Sequence, residues 1–382
     1  MSNSTMVTKE YLLAVVSAVL SGKEIPDLPK DIDVTQFVRL AFTNAVQGII
    51  FSAFAENPDA LPEALFARLK KSFQAGILRD AAQAQMLSVL REQLNDAGID
   101  FLLLKGAHLK ALYPAPELRF MVDMDILVRE HDQPRAKDIL LANGFVLDFD
   151  NGKDIVFLKK PFLTAELHRT LFQEEYRMYP YFLSVWERAE FVGNHEYKMT
   201  DNDLYVYTLA HLAEHYETAG SCFRPVMDLY LMEKKLQDKL DFDYIRAQFE
   251  ALGIAEFAKN IRNLGHCMFD GAPKDDTLLL MENYVTLGPP VKNATVAADE
   301  KLGKQSKARR LFSAAFPTFK HMKTKYPILK KLPFLLPFFW IWRLLGYTFT
   351  KDKALMRKKE ALLNTDRKSA DVMQKILRQS GL

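Results

Sequence analysis

Asp123 and Asp125 stand two residues apart in a run that is otherwise apolar, from Met121 to Val128. On a strand, alternate side chains share a face, so the two carboxylates point the same way with Met124 opposite. Like charges side by side repel unless a cation or an arginine stands between them. A divalent ion resolves the conflict, because hard cations take carboxylate oxygens and bridge them to phosphate. A solvated pair at a strand end is the plain alternative. The setting raises the metal reading: upstream, the apolar run Phe101 to Leu104 ends at Lys105-Gly106 and gives way to a helix-like segment. Such a strand–glycine–helix corner offers backbone N–H groups to a phosphate.

These residues need a scaffold. With 382 residues, 49% of them hydrophobic and 26% charged, the chain is long enough for two or three domains with a sizeable core. Residues 8 to 98 read as helix. Leu12, Val15, Val16 and Val19 recur at helical spacing, as do Phe37, Leu40, Ala41 and Ala45, with Asp33 as a plausible start. Pro62 opens a long helix to about Ala97, where Gly98 stops it.

From Asp100 the pattern becomes mixed. A polar helix (Asp132 to Asn143) closes at Gly144, and Phe145 to Asp150 with Asp154 to Lys159 read as a hairpin around Asn151-Gly152. Leu163 to Leu171 reads as a further strand. After Pro180 the chain returns to helices. Asp201 caps a helix to Thr218 on which His211 and His215 share a face. No third ligand stands near those histidines, so they read as core or surface residues rather than a zinc site. Amphipathic helices continue to residue 287, broken at Gly253 and Gly271, before Gly288-Pro289-Pro290 leads into a small-residue linker to about Asp299.

The order strand, Lys105-Gly106-Ala107, short helix, Leu112-Tyr113-Pro114, Glu117-Leu118-Arg119, then Asp123 to Val128 resembles the uncharacterised bacterial nucleotidyltransferase family of the polymerase β-type nucleotidyltransferase superfamily. Gly106 to Asp123 spans 17 residues, and Lys105-Gly106-Ala107 stands where the superfamily more usually has Gly-Gly or Gly-Ser. The resemblance implies an α+β fold, with a small mixed-sheet palm embedded between N-terminal and C-terminal helical regions. It implies a metal-dependent transfer of a nucleoside monophosphate from a nucleotide triphosphate such as ATP to a hydroxyl of an unknown small-molecule or protein acceptor, releasing pyrophosphate. Two ions, Mg²⁺ or Mn²⁺, would stabilise the attacking and leaving oxygens. Asp123 and Asp125 would hold both ions.

The palm needs a third carboxylate on a neighbouring strand, and Glu166-Leu167-His168 matches the family's acid, apolar residue and histidine. Glu166 would hold the ion on the nucleophile side. Lys105 and the Gly106 amide would hold the triphosphate. Arg119 would neutralise a phosphate or pair with Asp123, and His168 would face the incoming hydroxyl or orient Glu166. Phe223-Arg224-Pro225 to Asp228-Leu229 matches the family's Arg-Pro turn, where Arg224 with Asp228 would bind nucleotide or lock two helices together.

Four regions follow: 1–98, an N-terminal helical region; 99–195, the palm; 196–290, a helical domain; and 291–382, a basic C-terminal helical tail. Residues 301–382 carry 20 Lys and Arg against 4 Asp and Glu, while the whole chain nets only +3. Such asymmetry suits an anionic partner, and a non-enzymatic protein binding nucleotide, nucleic acid or a membrane surface through this tail is the competing class. The aromatic segment Lys330 to Arg343 is broken by Pro333 and Pro337 and falls short of the about 20 apolar residues a membrane span needs. Packing on preceding helices is expected of it, with an interfacial position as the alternative. Two cysteines, Cys222 and Cys267, cannot make a disulfide framework, and Met1 to Thr8 lacks a signal-peptide layout, so the expected compartment is the cytoplasm.

Overall fold

The sheet that carries the acids is seven-stranded and mixed, in the order β3-β4-β5-β2-β1-β7-β6. The computed structural model describes residues 3–218 and 220–290 and, further on, 312, 315–319, 322–323, 326–349 and 367–382. The proposed linker and much of the basic tail lie outside the described residues. By contacts the chain divides into a unit of residues 1–213, 221–288 and 381, and a second of 214–220, 289–380 and 382.

The first unit opens with helices α1 (Asn3–Ser21), α2 (Val34–Thr43), α3 (Gln47–Phe54) and α4 (Glu63–Asp96). Asp33 caps α2, its carboxylate accepting from the Gln36 amide at 2.9 Å. Gly98, at φ +65°, ends the long α4 in the left-handed conformation that a side chain disfavours. Strand β1 (Phe101–Leu103) is buried at every position, as suits a central strand. The single turn α5 (Gly106–Leu109), β2 (Met124–Val128) and α6 (Gln133–Ala142) follow, then the hairpin β3 (Val146–Asp150) and β4 (Asp154–Lys159). Asn151 shapes its turn: the side-chain oxygen accepts from the amides of Lys153 at 2.9 Å and Asp154 at 3.0 Å. Strand β5 (Leu163–His168) returns to lie parallel to β2.

One sheet face packs on α4 and α6 through Phe101, Leu103, Ile126, Phe157, Ala165 and Leu167, with Leu90, Leu94 and Leu140 above them. Period two then sends Asp125, Thr164 and Glu166 to the other face.

Two strands were not expected. Short helices α7 (Tyr179–Phe182) and α8 (Val185–Arg188) lead to β6 (Glu190–Gly193) and β7 (Glu196–Lys198), so the sheet continues past residue 195. β7 pairs parallel to β1, and the Phe101 amide donates to the His195 carbonyl at 3.0 Å. Helices α9 (Asp201–Thr218), α10 (Arg224–Lys235), α11 (Phe242–Ala251), α12 (Ala255–Phe269) and α13 (Asp276–Leu287) follow. The cap of α9 is Thr200 rather than Asp201: its hydroxyl accepts from the Asp203 amide at 3.0 Å and donates to the Asp203 carboxylate. Lys9 of α1 and Glu282 of α13, both fully buried, are joined at 2.6 Å.

In the second unit, Trp340 of the helix Leu336–Phe349 packs edge-on to Phe316 and donates to the Pro317 carbonyl at 3.0 Å. Phe334, Phe338 and Trp342 face solvent, so the aromatic segment packs along only one side. Among the described residues no helix is long and apolar enough to cross a membrane.

Candidate active site

Strand register builds the centre of the site. Asp125 on β2 lies directly across from Glu166 on the parallel β5. His168, two residues further along β5, is buried, and its Nε2 stands 2.9 Å from Asp125 Oδ1 and 3.6 Å from Glu166 Oε2. The ligand atoms of Asp125, Glu166 and His168 all lie within 4.8 Å of one another, close enough to share one ion. Both acids share the histidine's face of the sheet, and its hydrogen bond goes to the nearer one, Asp125, rather than to Glu166.

Asp123 belongs to the approach to β2 rather than to the strand, and is not one of the three that converge most closely. Its charge is nonetheless felt. Burial, and then the charge of Asp125, push the Asp123 carboxyl up to about 6, against the pull of Lys105 and Arg224. Glu166 is pushed up to about 7 by burial and then by Asp125 and Asp123. Burial would raise Asp125 too, but the hydrogen bond and charge of His168, with Lys105 and Lys153, hold it below the usual carboxylate range. Three crowded acids, two of them reluctant to ionise, form a site that a divalent cation would relieve.

The phosphate-side residues stand beside them. The Leu104 amide donates to the Asp125 carbonyl at 3.1 Å, which puts the Lys105-Gly106 corner next to the acids. Lys105 Nζ lies 4.4 Å from the centre of the Tyr207 ring, a cation–π contact with α9. A Cβ on Gly106 would fall 2.4 Å from Met121 Sδ, so the corner approaches the segment before β2 too closely for a side chain unless Met121 moves.

Arg119 does not pair with Asp123. It is buried, and its Nε and Nη2 donate to the two carboxylate oxygens of Asp228 at 2.8 and 2.9 Å. Tyr113 donates to the same carboxylate at 2.6 Å. With two donors committed to Asp228, Arg119 supports the segment before β2 instead of meeting Asp123, while its Nη1 lies 3.7 Å from where a Cβ on Gly106 would stand. The lock that was expected of Arg224 with Asp228 is thus formed by Arg119. Arg224 instead donates from Nη1 to the Phe120 carbonyl at 3.1 Å, and its buried Nε has no hydrogen-bond partner. Tyr113 and Asp228 were visible in the sequence as family-like motifs, but their partnership spans 115 residues and has no local signal.

A family model described as uncharacterised nucleotidyltransferase matches residues 30–270, well over half of the chain and every residue of this site. No curated protein and no solved structure matches the chain.

Proposed function

The chain belongs to the uncharacterised nucleotidyltransferase family, and from that premise we propose that it transfers a nucleoside monophosphate from a nucleotide triphosphate to an acceptor hydroxyl. The acceptor oxygen would bond to the α-phosphorus as the bond to the β-phosphate oxygen breaks, so that pyrophosphate leaves and the hydroxyl proton is lost. The observation that carries the reading is the pairing of Asp125 with Glu166 across parallel strands, with Asp123 near enough to add to the raised proton affinity of Glu166.

Asp125, Glu166 and Asp123 would hold Mg²⁺ or Mn²⁺; carboxylate oxygens suit both hard ions, and an imidazole such as His168 is more readily taken by Mn²⁺. When bound, the metal would stabilise the charge that develops on the attacking and leaving oxygens. His168 holds the Asp125 carboxylate in one orientation. Lys105 and the Gly106 amide would receive the triphosphate, and Arg224, whose charge already reaches Asp123, would add a second cation there. Arg119 is a positioning residue: through Asp228 it fixes the segment that leads into Asp123. Positioning and fixed charge carry most of the rate in such transfers.

Asp125→Asn is expected to abolish metal-dependent transfer, and metal-dependent thermal stabilisation by each of the four ribonucleotide triphosphates, while the protein still melts cooperatively. Stabilisation by nucleotide and metal that survives in this variant would remove the assignment.

A further inference from the structure

We propose that the cavity beside β4 and β5 is the acceptor site, and that it takes an acceptor bearing a phosphate-class anion on an apolar body. This rests on the transfer reading and extends it to the class of substrate. The cavity measures about 400 Å³, and the residues that shape its chemistry are Arg79, Val122, Leu158, Lys160, Phe162 and Thr164.

Its charge is one-sided. No carboxylate lines it. Arg79 comes from α4, and its Nε is buried without a hydrogen-bond partner, a donor that a ligand oxygen would satisfy. Lys160 is exposed on the turn between β4 and β5. Lys159 also borders the cavity, but its ammonium lies 5.7 Å from the Phe145 ring, so it contributes chain more than charge. Besides the cations the lining is largely apolar, and Val122 and Leu158 are 57% and 43% exposed. An anion with a hydrophobic body matches that division.

Its position fits an acceptor. Thr164 stands two residues before Glu166 on β5, and Val122 immediately precedes Asp123. The Lys105-Gly106 corner lies at the end of β1, which borders β2 on the side away from β5. The acids therefore stand between a cationic corner on one flank and a cationic cavity on the other. In-line displacement needs the attacking and leaving groups on opposite sides of the phosphorus. A triphosphate held at Lys105 sends pyrophosphate toward β1 and leaves the β5 flank, where Glu166 stands, for the nucleophile.

The test uses the full-length protein without metal, titrated with phenyl phosphate, inorganic phosphate and phenol by calorimetry. Phenyl phosphate is expected to bind saturably and more tightly than either fragment. Losing one charge-assisted contact, in Arg79→Gln or Lys160→Gln, is expected to weaken it about tenfold, with Asp125→Asn like wild type. Lys160 is exposed, so its variant keeps the test decisive should Arg79→Gln fail to fold. Absence of phenyl phosphate binding, equal binding in both cation variants, or loss in Asp125→Asn would each overturn the site. Thermal stabilisation by Mn²⁺ and nucleotide is measured separately on wild type. If that fails while phenyl phosphate still binds at Arg79 and Lys160, the transfer reading falls, and the acceptor role falls with it.

Discussion

Glu166 and Asp123 hold their protons longer in the folded protein than in the unfolded chain, to about 7 and about 6 against ordinary values of 4.5 and 3.8. Between those limits the folded state binds more protons, so these two groups stabilise the metal-free protein at acid pH and lose that contribution as pH rises toward 7. Asp125, held low, acts oppositely, and its contribution is lost only as pH falls below the ordinary carboxylate range. A divalent ion needs the charged forms, so its affinity should climb by up to about tenfold per pH unit between the two values and more steeply below the lower one, where two protons must leave. Thermal melts with and without Mn²⁺ are expected to show a small shift at pH 6 and a large one at pH 8. Glu166→Gln should flatten most of that dependence, and a shift already flat in wild type would count against the site. At this scale the sequence is informative about which residue types gather, because strand alternation alone puts Asp125 and Glu166 on one face. It is silent on partners. His168 turns to Asp125 and Arg119 to Asp228, choices set by three-dimensional neighbours 43 and 109 residues away.

Helices and strands were legible wherever a local device marks them: Asp33 at the start of α2, Gly98 after α4, Asn151 in the β3–β4 turn. The β6–β7 ribbon was not, since its four and three residues expose Phe191 and Val192 and make no amphipathic pattern. What ties it to β1 is again long-range: Asp100 accepts from Arg129 at 2.8 Å and meets His195 Nδ1 at 2.9 Å. The junction of α10 with the segment before β2 depends on Asp228 in the same way. Asp228→Asn would leave the Arg119 guanidinium buried with its countercharge gone, and is expected to cost about 3–5 kcal/mol in urea unfolding. Replacing both, Arg119→Met with Asp228→Leu, should recover a large part of that stability while transfer remains impaired. A loss below about 1 kcal/mol for the single change would show that the ion pair is not what fixes this junction.

Across the whole molecule, fold class and family follow from the residues around the acids, whereas the net charge of +16 counted over residues 301–382 has no part in the proposed chemistry. The first unit is closed instead by an ion pair between its ends. Glu282 accepts from Lys9 at 2.6 Å and from Lys274 at 2.7 Å, while among the described residues Lys9 has besides Glu282 only the Asn283 side chain at 3.0 Å. Lys9→Met leaves Glu282 with a cation; Glu282→Gln leaves a buried ammonium with none. The second change is therefore expected to be the more damaging, by about 3–5 kcal/mol in chemical denaturation. Equal or reversed losses would mean that Lys9 is relieved in some other way.

Lys9 and Glu282 are 273 residues apart in the chain. During synthesis the first helix emerges from the ribosome long before its countercharge exists. Until then the buried seat of the Lys9 ammonium lacks its countercharge, although the α1 face that meets α2, through Tyr11 and Phe37, can already pack. The palm strands, complete by residue 198, have their cover in α4 and α6 and do not draw on this pair, whereas the seat of α1 is finished only by the last helix of the unit.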